Sequence, residues 1–153
     1  PGFPIAPEPD EARRWLDLGA ARLEKLALTG PKNEAMDAAY TLATEYQSGA
    51  TFPQDPAKAV EFHTIAATLG HQRSAGALRG AYAYGNLGLA KDPAKAKHWE
   101  QIADDIGMGR YKVPASALAG RGQAAASAPK ASAKPAANPA PAPRAKPAVK
   151  PKR

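Results

Sequence analysis

The chain has 153 residues, no cysteine, and 21 basic against 14 acidic side chains, for a formal charge of +7. That length allows one modest domain with chain to spare, and the lack of cysteine excludes disulfides and thiolate metal sites. No run of 18 apolar residues occurs, which excludes a membrane-spanning helix from the sequence as given.

In chain order, the first predicted element is a helix over residues 9–28, introduced by Glu8-Pro9-Asp10-Glu11-Ala12. Trp15, Leu18, Leu23 and Leu26 are placed to continue one apolar face. Thr29-Gly30-Pro31 breaks the chain, and Asn33 is positioned to cap a second helix over 33–48. In it, Leu42 and Tyr46 fall on one face, and Gly49 ends it as a residue tolerant of a left-handed cap. Asp55-Pro56 then opens a helix over 55–70. The Asp carboxylate accepts from unpaired first-turn amides, and Pro loses no helical hydrogen bond at that position. Ala59, Phe62, Ala66 and Leu69 form its stripe, and Gly70 closes it. A helix over 72–85 and another over 92–107 follow the same plan, the latter with Ala96, Trp99, Ala103 and Ile106 before Gly107.

The repetition is the dominant signal. Asp-Pro-Ala-Lys-Ala occurs at 55–59 and again at 92–96. Leu42, Tyr46 and Gly49 recur as Leu78, Tyr82 and Gly85; Phe62, Ala66 and Gly70 recur as Trp99, Ala103 and Gly107. A period of this size means stacked supersecondary units, so the expected fold class is all-α, a short α/α solenoid of antiparallel helix pairs. Phe62 and Trp99 are expected to be equivalent core residues. Pro9, Ala12 and Trp15 echo the same spacing, either as a degenerate second helix of a preceding repeat or as an unrelated amphipathic helix.

The pattern Leu-x3-Tyr-x2-Gly, then Asp-x2-Lys-Ala-x2-aromatic-x3-Ala, then Gly, resembles the Sel-one-like repeat, a relative of the tetratricopeptide repeat. The resemblance covers two full repeats, about residues 38–107. The chain departs from it in the turn, where Gly85 and Gly88 stand three apart and the first repeat has Thr51-Phe52-Pro53 instead of a second glycine. The resemblance implies an adaptor or scaffold, frequently in bacterial envelope or signalling complexes, with no catalytic residues to carry over. The expected layout is a helical domain over 8–110, with repeats at about 38–74 and 75–109 and a capping helix at 9–28, followed by a tail over 111–153.

Residues 114–153 hold 15 Ala, 8 Pro and 8 Lys or Arg, with no acid and no aromatic. Such a segment buries too little apolar surface to offset its ordering entropy, and Pro interrupts any helix that Ala would favour. It is expected to be disordered. Through Asp105 the chain has fourteen acids and eleven bases, a net of −3; from Arg110 onward it has ten bases and no acid. The high isoelectric point therefore describes the tail. Lys130, Lys134, Arg144, Lys146, Lys150, Lys152 and Arg153 are the candidate polyanion contacts, with a solvated spacer as the plain alternative. Without an aromatic to stack on bases, the tail gives no sign of sequence-specific nucleic-acid readout.

Few residues suggest chemistry. His63, His71 and His98 lack the spacing of a helical metal site, and structural roles are expected. Asp104-Asp105 reads as a solvated edge rather than a cation site. No catalytic, cofactor-binding or metal residue is expected, and no cofactor. Tyr84, which cannot share the face of Tyr82, and Arg79 about a turn and a half earlier are the candidate partner surface. Should the helical part carry a basic patch of its own, Arg13, Arg14 and Arg22 are the first candidates. The leading function is a non-catalytic protein-binding scaffold. The alternatives are an accessory regulator or small enzyme of cell-envelope metabolism, and a polyanion-binding protein acting through its tail. A start at Pro1 instead of Met reads as a processed product or an excised fragment. Periplasmic or secreted placement is favoured over cytoplasmic, although lack of cysteine fits either.

Overall fold

The computed structural model of the chain describes residues 9–119. Six helices follow in order: α1 (Pro9–Thr29), α2 (Lys32–Ser48), α3 (Pro56–Thr68), α4 (Gln72–Tyr84), α5 (Pro93–Gly107) and α6 (Ala115–Ala119). Among the described residues there is no strand, and no helix is long and apolar enough to cross a membrane. The principal packing runs between sequence neighbours, α1 on α2, α2 on α3, α3 on α4 and α4 on α5. That is the stacking of an α/α solenoid, in which each unit contacts only the next.

The two repeats share local geometry. Gly49 and Gly85 end α2 and α4 at φ +70° and +76°, conformations glycine adopts without a Cβ penalty. After each turn the chain is tied back by one backbone bond, Asp55 N–H to the Tyr46 carbonyl and Asp92 N–H to the Tyr82 carbonyl, both 2.9 Å. The Asp55 carboxylate accepts from the Ala57 and Lys58 amides, and Asp92 accepts from the Lys95 amide. The longer second turn places Leu87 at φ +56°, where its side chain packs against the cluster of Val60, Ala67, Ala75 and Leu78.

One buried cluster joins α1, α2 and α3 through Ala27, Ala39, Leu42, Tyr46, Phe62 and Ile65. A smaller one joins α3, α4 and α5 through Val60, Ala67, Ala75 and Leu78, with Trp99, Ile102 and Ile106 partly buried against it. Phe62 stacks on Tyr46 at 6.0 Å between ring centroids. Trp99 is only partly buried, so the two rings are not equivalent in burial; among the described residues no further repeat packs on the far side of α5.

Four further expectations are corrected. Trp15 and Leu18 do not continue the core face of Leu23 and Leu26; they are 70% and 62% exposed. Their positions fall about 120° or more around the helix from Ala20 and Ala27, which are buried. Asn33 does not cap α2, whose N-cap is Pro31 with no side-chain bond. Gly107 lies inside α5, and Gly109 supplies the left-handed residue after the helix. The helical part does not stop at 110 either. The Tyr111 hydroxyl donates to the Thr68 carbonyl at 2.9 Å, Val113 packs against the first cluster, and α6 follows. The candidate tail contacts from Lys130 to Arg153 lie outside the described residues.

Candidate functional site

α4 and α5 meet along a groove of about 330 Å³. Its floor is made of small residues, Gly80, Ala83 and Ala96, which keep the two helices from filling the space between them. Pro93, Ala96, Lys97 and Glu100 recur at helical spacing along one side of α5 and so line it together. Arg79 and Tyr84, the two residues singled out on α4, both border this groove. Tyr84 is 72% exposed at the last position of its helix. Arg79 Nη1 donates to Glu100 Oε1 at 3.4 Å across the groove, both side chains half exposed. Such a pair is weak in water and easily exchanged for a ligand's charge. The groove can hold a few apolar atoms, with an aromatic edge and mixed charge at its rim.

A second concavity, of about 420 Å³, lies between α1, the turn before α3 and α3 itself. Lys58 Nζ there donates to Tyr46 Oη at 3.2 Å and to Glu24 Oε1 at 3.4 Å, and Tyr46 Oη donates to Glu24 at 3.1 Å. Burial is the main cause pushing the Tyr46 phenol up, with Glu24 adding to it and Lys58 opposing. The ammonium of Lys58 also sits over the Tyr46 ring at 4.7 Å, and Lys95 sits over Tyr82 at 5.2 Å in the second repeat. Recurrence of the cation over the ring marks this arrangement as part of the repeat's architecture.

The histidines form a polar link that periodicity did not reveal. His63 on α3 is buried, with Nδ1 3.3 Å from Ser74 Oγ and Nε2 3.1 Å from the Gln47 side chain. His71 caps α4, its Nδ1 accepting from the Ser74 amide and lying 2.9 Å from Ser74 Oγ. Because His71 Nδ1 accepts, the Ser74 hydroxyl donates to it and accepts from His63 Nδ1–H. His63 Nε2 is then an acceptor, which requires the Gln47 amide to turn its NH₂ toward it. Burial, and next the nearby His71, pull the His63 imidazole down to about 4. A neutral, satisfied His63 thus ties α2, α3 and α4 together. His98 is exposed, its ring 5.6 Å from that of Trp99. Asp105 pairs with Arg110 at 2.9 Å, and among the described residues no group of three acidic, His or Cys side chains is placed to hold a metal ion.

The Sel1 repeat family model matches residues 1–22, 37–71 and 76–103, more than half of the chain. The chain belongs to the Sel1 repeat family. The matches at 37–71 and 76–103 cover most of the two helix pairs, and the match at 1–22 takes in Pro9, Ala12 and Trp15. That favours a degenerate repeat over an unrelated helix. Sel1 repeats are generally protein–protein interaction modules and typically non-catalytic. No curated protein and no solved structure matches the chain.

Proposed function

We propose that this Sel1 repeat chain is a non-catalytic adaptor that binds a protein segment in the α4–α5 groove. The supporting observation is the placement of a largely exposed Tyr84 beside Arg79, above a floor of Gly80, Ala83 and Ala96. An aromatic that lies exposed in the free protein and an Arg at the rim are the residue types that most often carry interface energy. Lys97 and Arg79 favour a segment with at least one carboxylate next to an apolar side chain. Peptide-library selection on the full chain tests this reading. Enriched peptides should lose binding to Tyr84→Ala and Arg79→Ala variants whose melting is unchanged. Enriched peptides that bind both variants as well as the parent would refute it.

A second reading adds the tail. The net of −3 through Asp105 against ten unopposed bases from Arg110 onward suits an electrostatic tether to an anionic polymer or surface. Removing residues 120–153 should abolish low-salt retention on a polyanionic matrix. Retention with the same salt slope would discard the tether.

A further inference from the structure

Two concavities beside α1 run into one trough. The one of about 420 Å³ described above shares Asp17, Phe52 and Pro53 with a neighbour of about 340 Å³, which reaches back along α1 through Leu16 to Ala12. From Ala12 to Glu24 the trough follows the helix for about 18 Å. Its apolar surface comes from Ala20 and Ala21, from Leu16, which is 41% exposed, and from Phe52 and Pro53 in the turn before α3.

Carboxylates outnumber cations along it. Asp17, Glu24 and Asp55 line the trough, against Lys58, already held by Glu24, and Arg13 toward the far end. Among the described residues no cation pairs with Asp17. Burial first, with Glu24 and Asp55 adding to it against Lys58, also pushes the nearby Glu61 carboxyl up, so the region is short of positive charge. Repeat two has no counterpart. Counted from Pro9 and Pro56, Thr64 and His71 stand where α1 has Asp17 and Glu24, and Leu87 and Leu89 of the longer turn pack onto the second cluster. The α4–α5 groove differs in sign, with Arg79 and Lys97 at its rim.

The chain itself carries a segment that fits. Residues 139–153, outside the described residues, read Pro-Ala-Pro-Ala-Pro-Arg-Ala-Lys-Pro-Ala-Val-Lys-Pro-Lys-Arg, with no acid. Proline at that density favours polyproline II, which has three residues per turn. At that period Pro139, Ala142, Ala145, Ala148 and Pro151 fall on one side, and all five bases fall on the other two. Ala142 to Ala148 would span about 19 Å, the length of the trough. At the same rise the 22 residues from 120 to 141 span up to about 68 Å, against a radius of gyration of about 13 Å for a domain of this size. The segment therefore reaches the trough of its own molecule. Such tethering gives an effective concentration of millimolar order, which favours it over the same segment of a second copy.

We propose that residues 142–148 dock in the trough between α1, the turn before α3 and α3 itself. The alanine side lies on Ala20, Ala21 and Phe52, and Arg144 and Lys146 meet Asp17, Glu24 and Asp55. The contact is intramolecular, leaves the α4–α5 groove free, and rests on neither functional reading above.

The test uses the cysteine-free chain with Ala140→Cys carrying a nitroxide, and reads amide broadening by NMR. At low salt the amides of Asp17, Ala21, Phe52 and Gln54 should broaden and those of Arg79, Tyr84 and Lys97 should not; high salt should restore the first set. Asp17→Lys, at an exposed position, should remove most of the broadening with melting unchanged. The paired exchange Ala145→Lys with Lys146→Ala keeps composition and charge but puts a base on the alanine side, and should remove it as well. Broadening that survives this exchange, or that spreads evenly over the domain, overturns the proposal, as do trough amides that stay sharp. So does equal broadening of isotope-labelled chain mixed with separate nitroxide-bearing chain, which reports a contact between molecules.

Discussion

The two complete repeats carry the same residues in the same order, yet Phe62 is buried and Trp99 is not. Repeat one, α2 with α3, is covered by α1 on one side and α4 on the other. Repeat two, α4 with α5, has the described chain on one side only. In a solenoid, stability is a sum of intrinsic repeat terms and nearest-neighbour interfaces. A repeat with one interface keeps its local geometry, its Asp cap and its closing Tyr carbonyl bond, and loses core depth. Sequence similarity between repeats therefore specifies shape more tightly than it specifies energy.

The largest expected effect breaks the buried member of the pair. Phe62→Ala removes a ring enclosed by Tyr46 and Ile65 and should cost about 3–5 kcal/mol in chemical denaturation. Trp99→Ala, despite the larger ring, should cost about half as much, because part of that ring already faces water. Equal losses would mean that flanking interfaces do not set the difference.

Next in size is pH. His63 binds a proton in the unfolded chain near its ordinary value of about 6.5, but in the folded chain only near about 4. Stability contributed by the neutral ring is thus complete above roughly pH 6.5 and falls as pH drops toward 4, by about 3 kcal/mol in total. His71 is lowered as well, by its burial first, with Asp37 opposing and Arg73 assisting, and acts in the same direction. Denaturation of His63→Gln should show a flatter profile between pH 6.5 and 5 than the parent. An unchanged slope would place the titration elsewhere.

The caps give the smallest contrast. Asp55 holds two first-turn amides and Asp92 holds one, so Asp55→Ala should cost about 1 kcal/mol and Asp92→Ala somewhat less. Thermal melts of both variants, measured at one pH, decide the order.

Much of the fold was legible because its signals are local. Asp-Pro starts, closing glycines and the 3.6-residue spacing of Leu42, Tyr46, Phe62 and Ala66 each act within one or two turns. What escaped depends on neighbours. Periodicity shows that Trp15 and Leu18 share a stripe, but not whether a helix covers it. Tyr111 reaches Thr68 across 43 residues, a contact with no local trace. The His63–Ser74–His71 link needs α3 and α4 already docked, although His71 directly before a helix is a faint capping signal. The groove was half visible: Tyr84's displacement from the Tyr82 face marked it as outward, and Arg79 lay within reach. Its floor of Gly80, Ala83 and Ala96 emerged only when α5 was placed against α4. Asn33 was the better cap by residue type, but the Gly30-Pro31 break starts the helix before it.

Native-state hydrogen exchange, read residue by residue across α3 and α5, tests the central claim most directly. If flanking interfaces set the energy of otherwise similar repeats, α5 amides should exchange through a partial opening of lower free energy while α3 stays protected to the global limit. Equal protection of the two helices, both lost only in global unfolding, would contradict it.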